Sequence, residues 1–306
     1  MIDRLIKEIE KKKNPSVVGL DPTLQMMPEY LREQYFSQYG ETPEAVGRMY
    51  SEFNRKIIDA VSDIVPAVKP QIAMYEKYGI PGFRAYLETC EYASDAGLIV
   101  IGDIKRGDIS STAAAYAAHL SGADIMGNRI DVWREDAVTV NPYLGIDGIR
   151  PFLEACRSEE KGIFVLVRTS NPSSAELQEL KLTDGRKLYE AVADLTVQWG
   201  MECMGSCGYS EIGAVVGATQ RAQGEELRKR MPHTFFLVPG YGAQGGTAED
   251  VAGFFDNNGY GAVISSSRGI TSEYLKNERY SDRDFAEAAA EAAKAMRDAL
   301  QKALGL

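Results

Sequence analysis

Short apolar runs alternate with longer amphipathic stretches along all 306 residues. The apolar runs are SVVGLD (16–21), PAVKPQIAMY (66–75), GLIVIGDIKR (97–106), AVTVNPY (137–143), GIFVLVRTS (162–170), GAVVGAT (213–219), FFLVPGYG (235–242) and GAVISSSRG (261–269). They read as eight buried strands. Between them lie stretches with helical spacing, such as FRAYLETCEYASDAG (83–97) and GIRPFLEACRSEEKG (148–162). Each of these ends on a glycine suited to a helix C-terminus. A further helix opens with TPEAVGRMYSEFNRKIIDAV at 42, and the Ala-rich end predicts a long helix over 282–305.

Eight strands alternating with helices imply a parallel sheet. Eight such units in one chain match the (β/α)8 TIM barrel, an α/β fold. An open doubly wound sheet is disfavoured, because the first strand runs into GLDPTLQ rather than a G-x-G-x-x-G turn. No linker or low-complexity tract divides the chain, so residues 1–306 read as one barrel domain. The segment 22–51 is long for a strand-to-helix connection and predicts an extra helical insertion near the top of the barrel.

Composition narrows the functional classes. With 34 basic against 44 acidic residues, the net charge of −10 argues against a general nucleic-acid binder. The N-terminal MIDRLIKEIEKKKN is charged and amphipathic, unlike a signal peptide. No run approaches the roughly 18 apolar residues of a membrane span. Cys90, Cys156, Cys203 and Cys207 are scattered, and CMGSC lacks the second Cys/His pair of a zinc site. They read as reduced thiols of a cytoplasmic protein.

The candidate chemistry begins at IGDIKRGDIS (101–110), where Asp103, Lys105, Arg106 and Asp108 directly follow the apolar LIVI. In a strand, 103 and 105 point to one face. Nearly every other predicted strand also ends on polar groups: Asp21, Lys69, the NPY of 141–143, Thr169 with Ser170 and Asn171, PGYGAQGG (239–246), and Ser267 with Arg268. In this fold, those ends line the active site. Asp21, Lys69, Asp103, Lys105 and Asp108 would form an alternating cluster of net charge near −1, by the signs of these side chains. Flanking carboxylates would keep Lys105 protonated, since burial alone lowers a lysine pKa. The Gly-rich PGYGAQGGTAED (239–250), a helix opening at Thr247 and Arg268 predict an anion pocket opposite. The ligand thus reads as a phosphate ester whose other end meets Lys105. His119 and His233 lie away from the strand ends and read as structural.

The D-x-K-x-x-D of Asp103, Lys105 and Asp108, with Lys69 one strand earlier, resembles the orotidine 5'-phosphate decarboxylase family. GLDPT, NPYLG, TSNP and PGYGAQGG fit the same family, and DIKRGDI with VNPYLGIDG resembles its longer branch, common in bacteria. The resemblance spans about residues 14–275. It implies decarboxylation of orotidine 5'-monophosphate to UMP, with no cofactor and no metal. Lys105 would protonate C6 of the pyrimidine, Asp103 would face the departing carboxylate, and Lys69 and Asp108 would complete the charged row. Asp21 and Lys69 would hold the ribose, Ser170 (or Thr169 and Asn171) the pyrimidine, and Gln244 with Arg268 the phosphate. The resemblance also implies a homodimer, in which Asp108, Ile109 and Thr112 reach the partner's site. Two alternatives stand beside it: a Mg²⁺-dependent keto-sugar-phosphate decarboxylase or synthase on the same scaffold, and a noncatalytic nucleotide-binding barrel. The first needs an acidic ligand at the end of the second strand, where this chain has Lys69, with Glu76 a few residues on.

Overall fold

The computed structural model describes residues 1–242 and 245–306, and in it all eight predicted strands form and close into one barrel. They are β1 (Ser16–Leu20), β2 (Ala67–Pro70), β3 (Ile99–Arg106), β4 (Ala137–Val140), β5 (Gly162–Arg168), β6 (Ser210–Val216), β7 (Thr234–Pro239) and β8 (Ala262–Ser266). Neighbours pair in parallel around the ring, and Val17 of β1 lies beside Ser265 of β8 to close it. The chain is a single-domain (β/α)8 barrel.

Period-2 alternation divides the apolar side chains into two sets. Val17, Ala67, Ile99, Ile101, Ala137, Phe164, Val215, Phe235, Leu237 and Val263 fill the barrel interior. Their neighbours, among them Val18, Val68, Val100, Val138 and Ile264, pack outward against the helices. Burial on both faces explains why the strands read as continuous apolar runs.

The N-terminal segment forms a helix, Ile2–Lys12, whose Ile2, Leu5, Ile6 and Ile9 make one apolar stripe. That stripe joins the interior cluster and closes the N-terminal end of the barrel. The N-terminal ammonium pairs with Glu211 at 2.9 Å there. The opposite mouth, at the C-terminal ends of the strands, is left open to a cavity.

The helix predicted from 42 spans Pro43–Val61, with the Thr42 hydroxyl accepting from the Ala45 N–H at 3.3 Å. The 83–97 stretch lies in a helix, Gly79–Asp95, and Gly97 takes the left-handed φ of 79° that ends it. The 148–162 stretch differs. Its helix is Ile146–Glu159, Glu160 holds the left-handed φ of 53°, and Gly162 already begins β5. Strand pairing with β4 claims Gly162, so the turn falls on the residue before Lys161. The final helix is Phe285–Leu304, preceded by a single 3₁₀ turn at Asp282–Asp284. Within 22–51 a helix, Glu29–Tyr39, buries Leu31. The insertion is tied to the C-terminal part of the chain by Tyr30 N–H to Asp282 (3.2 Å) and Tyr274 O–H to the Met26 carbonyl (2.7 Å). Among the described residues, no helix is long and apolar enough to cross a membrane.

Candidate active site

A cavity of about 520 Å³ opens at the C-terminal ends of the strands. Its floor is a charged row. Lys69 donates to Asp103 Oδ2 at 2.8 Å, and Lys105 donates to Oδ1 of the same carboxylate at 2.5 Å. Asp21 stands on the other side of Lys69 at 4.0 Å and accepts from Ser267 Oγ at 2.8 Å. Lys69 and Asp103 are only 4% and 6% exposed, whereas the Lys105 side chain is 46% exposed. The row thus runs from a buried ion pair to a lysine that a ligand can reach.

Burial alone would raise the Asp103 carboxyl pKa, but the ammonium groups of Lys69 and Lys105 outweigh it and hold it well below the usual carboxylate range. Burial would likewise lower Lys69, yet Asp103 and Asp21 push it up to about 12. At neutral pH Asp103 is therefore a carboxylate and Lys69 an ammonium.

Two neutral donors complete the Asp103 carboxylate: Thr139 Oγ1 reaches Oδ1 at 2.9 Å and Gln71 Nε2 reaches Oδ2 at 3.0 Å. Each oxygen so accepts two hydrogen bonds, from β3 and β4 on one side and from the β2 segment on the other. The pairing of β3 with β4 is irregular, with Gly102 opposite Val138 but Arg106 opposite Val140. The extra residues of this bulge leave Lys105 at a φ of 46°. A left-handed non-glycine residue costs about 1–2 kcal/mol. The Lys105 N–H, drawn off the strand ladder, donates instead to Thr139 Oγ1 at 3.0 Å. Next to it, Arg106 turns away from the row and pairs with Glu76.

Within one chain, Asp108 does not flank Lys105. Asp108, Ile109 and Thr112 do not line the cavity of their own chain, and no ion pair joins Asp108 to Lys105 among the described residues. The chain turns at Gly107 against Asn141, and the Asp108 carboxylate accepts its neighbour Ile109's N–H at 2.8 Å, ahead of the helix Ser110–Ser121.

Across the cavity stand Thr169, Ser170 and Asn171 after β5, Tyr241 after β7, and Arg268 after β8. Arg268 is exposed and makes no ion pair among the described residues. Gly240, Gly242 and Gly245 hold positive φ values of 98°, 71° and 94°, a path open to glycine. Gln244 lies outside the described residues. The helix expected to open at Thr247 is only four residues, Ala248–Val251, and Asp250 caps it by accepting the Thr247 N–H at 3.0 Å. This chain's own carboxylate occupies that helix start, so the anion pocket comes down to the glycine turn and Arg268.

Several contributors escaped the sequence reading. Gln71 and Thr139 share the inward parity of Lys69 and Asp103, so counting by twos could have found them. Gln178, at the end of the short helix Ala175–Gln178 after β5, could not be found that way. Its Oε1 accepts from Arg168 (3.1 Å) and from the Thr169 N–H (3.0 Å), while its Nε2 donates to Thr169 Oγ1 at 2.7 Å. His119, buried against Glu135 at 2.7 Å, and His233, at the surface, both lie outside the cavity. Among the described residues, no three His, Cys, Asp or Glu side chains converge as a metal site.

A family profile described as orotidine 5'-phosphate decarboxylase / HUMPS matches residues 17–282. The chain is 46% identical over 308 residues to the orotidine 5'-phosphate decarboxylase of Petrotoga mobilis, covering 100% of each. It is 42% identical over 303 residues to that of Caldicellulosiruptor saccharolyticus, covering 99% of this chain and 98% of the other. The solved OMP decarboxylase of Leishmania donovani superposes with a TM-score of 0.70 at 30% identity, over 97% of this chain and 99% of that one.

Proposed function

The chain belongs to the orotidine 5'-phosphate decarboxylase family, carboxy-lyases of pyrimidine synthesis, and we propose that it converts orotidine 5'-monophosphate to UMP and CO₂ without metal or organic cofactor, Lys105 supplying the proton to C6. One observation carries this reading: a single buried carboxylate, Asp103, grips both Lys69 and the reachable Lys105.

Decarboxylation breaks the bond from C6 to its carboxyl carbon and leaves the electron pair on C6, in the ring plane, with no adjacent carbonyl to take it up. A fixed cation beside C6 is the remaining means of stabilisation. Lys105, held by Asp103, offers that cation. It then passes an N–H proton to the C6 electron pair and, being half-exposed, regains it from water. Asp103 would stand against the substrate carboxylate, and any repulsion there is secondary. Asp21 and Lys69 would take the ribose hydroxyls, and Ser170 with its neighbours Thr169 and Asn171 the pyrimidine. Arg268 and Gln244 would take the phosphate, whose binding energy can be spent on holding the ring. Asp108, Ile109 and Thr112, outside their own cavity, would serve the site of a second copy in a homodimer. Cys90, Cys156, Cys203 and Cys207 are free thiols, which supports work in the cytoplasm.

The Mg²⁺-dependent alternative would need an acidic ligand at the end of β2. That place holds the Lys69 ammonium, and Glu76 is committed to Arg106. The test is the loss of orotidine 5'-monophosphate absorbance in EDTA, for wild type and Lys105→Ala. Turnover in EDTA that Lys105→Ala abolishes supports the reading; activity that appears only with Mg²⁺ and a keto-sugar phosphate overturns it.

A further inference from the structure

Between Ser110–Ser121 and β4 the chain makes a two-stranded antiparallel hairpin, Ala123–Ile125 with Asn128–Ile130. Ala123 faces Ile130, Asp124 faces Arg129, and Ile125 faces Asn128. By strand alternation, Ala123, Ile125 and Ile130 share one face, while Asp124 and Arg129 share the other. The charged face is tied to the chain, Arg129 reaching Glu159 at 2.6 Å. The apolar face is not covered: Ile125 is 56% and Ile130 50% exposed.

At the tip, Met126 and Gly127 hold φ values of 54° and 88°. Such a two-residue turn selects Asn-Gly or Asp-Gly, because both central positions are left-handed. Met126 adopts that backbone while its side chain is 100% exposed, so it gains no burial within its own chain. An isolated two-stranded hairpin is itself marginal in water.

The preceding helix is uncovered at its start, while Tyr116, Ala118 and Ser121 nearer the hairpin are half-buried. From Ile109 to Ala123 there is no Lys, Arg, Asp or Glu, in a protein that is 25% charged. Ser111, Thr112, Ala114 and Ala115 are exposed on that helix, and Ile109 is 47% exposed at its start. Two copies of a chain of net charge −10 repel one another overall, and a contact made on uncharged surface adds no like-charge pair to that repulsion. The exposed start of this stretch, 109–115, is such a surface beside Asp108, and the half-buried, uncharged Ala118 and Ser121 lead from it to the hairpin.

We infer that the hairpin 123–130 is an arm that holds a second copy of this chain, with Met126, Ile125 and Ile130 buried against it. The inference rests on the homodimer reading and adds the anchor. Because both copies carry the arm, the contact is made twice about a two-fold axis, and loosening it deprives each site of the partner's Asp108 segment.

The test is the dimer dissociation constant, from sedimentation over a dilution series, together with activity per subunit over the same series. Ile130→Asp combined with Met126→Asp is expected to raise that constant about tenfold or more, the effect of losing an interface anchor. Activity is expected to fall on dilution and return at high concentration. Asp124→Asn, on the other face, keeps the acceptor for the Gly127 N–H and is expected to leave association unchanged, which controls for damage to the hairpin. An unchanged constant in a protein whose wild type dimerises overturns the arm. A wild type monomeric at every concentration overturns the dimer reading instead, and the arm with it. Full activity of the dissociated variant at high dilution refutes the link to the site.

Discussion

The backbone N–H of Lys105 donates to the side-chain hydroxyl of Thr139 at 3.0 Å, where a regular strand would offer it a carbonyl. The same hydroxyl donates to Asp103, so one buried group sets both the turned backbone of the lysine and the carboxylate that holds its ammonium. Thr139→Val keeps the shape but leaves the Lys105 N–H without its acceptor and Asp103 Oδ1 with the Lys105 ammonium alone. We expect a loss of about 1–3 kcal/mol in urea unfolding and a fall in kcat of about tenfold or more, both largely restored in Thr139→Ser.

Lys69 is the buried half of the row. Lys69→Met leaves the Asp103 carboxylate buried with one cation, and breaking such a pair costs about 3–5 kcal/mol. The low end is expected because Lys105 remains. Adding Asp103→Asn to Lys69→Met should recover part of the loss, which a double-mutant cycle of unfolding free energies would read directly.

Stability should track the ionisation of this row. Asp103 is held below its ordinary pKa, so the stability from its charge is present above the unfolded value of about 4. It is lost as pH falls through the folded value. Lys69 is pushed up to about 12, so its contribution is present below the unfolded value of about 10.4 and is lost as pH rises through 12. The difference in unfolding free energy between wild type and Asp103→Asn should be level from about pH 5 to 10 and shrink on both sides. A difference that grows on acidification would contradict this.

Arg268 offers an exposed guanidinium across the cavity from the charged row. Arg268→Ala should raise KM for orotidine 5'-monophosphate by about 10- to 100-fold, in line with about 1.5–3 kcal/mol for hydrogen bonds to a charged group. Unfolding should be unaffected. Arg268→Lys should restore only part, since an ammonium lacks the bidentate fork.

Gly19 is where β1 passes beneath Ser267. A Cβ there would stand 1.9 Å from Ser267 Oγ, the donor to Asp21. Gly19→Ala should cost about 1–3 kcal/mol by overpacking and raise KM, because displacing Ser267 frees Asp21 to turn.

The eight strands and the polar character of their ends could be read directly, since alternation and runs are local properties of a chain. Asp103 and Lys105 shared a face by counting, and Lys69 and Asp21 stood out as polar groups at the ends of neighbouring apolar runs. Asp108 could not be placed by counting, because the strand ends at Arg106 and the turn at Gly107 redirects the chain away from its own cavity. Glu160 took the helix-ending conformation assigned to Gly162 because pairing between β4 and β5 begins at Gly162.

By itself, then, the sequence determined the barrel, the end of it where the polar groups gather, and the charges that meet there. Those follow from periodicity and from the cost of placing Asp and Lys beside apolar strands without a partner. The tertiary structure alone decided which oxygen of Asp103 each donor takes, the left-handed turn of Lys105, the capture of Glu76 by Arg106 and the closing of the barrel floor by Ile2–Lys12. Each depends on the register between segments far apart in the chain. Register is settled when all strands close the ring together, so no single stretch contains it.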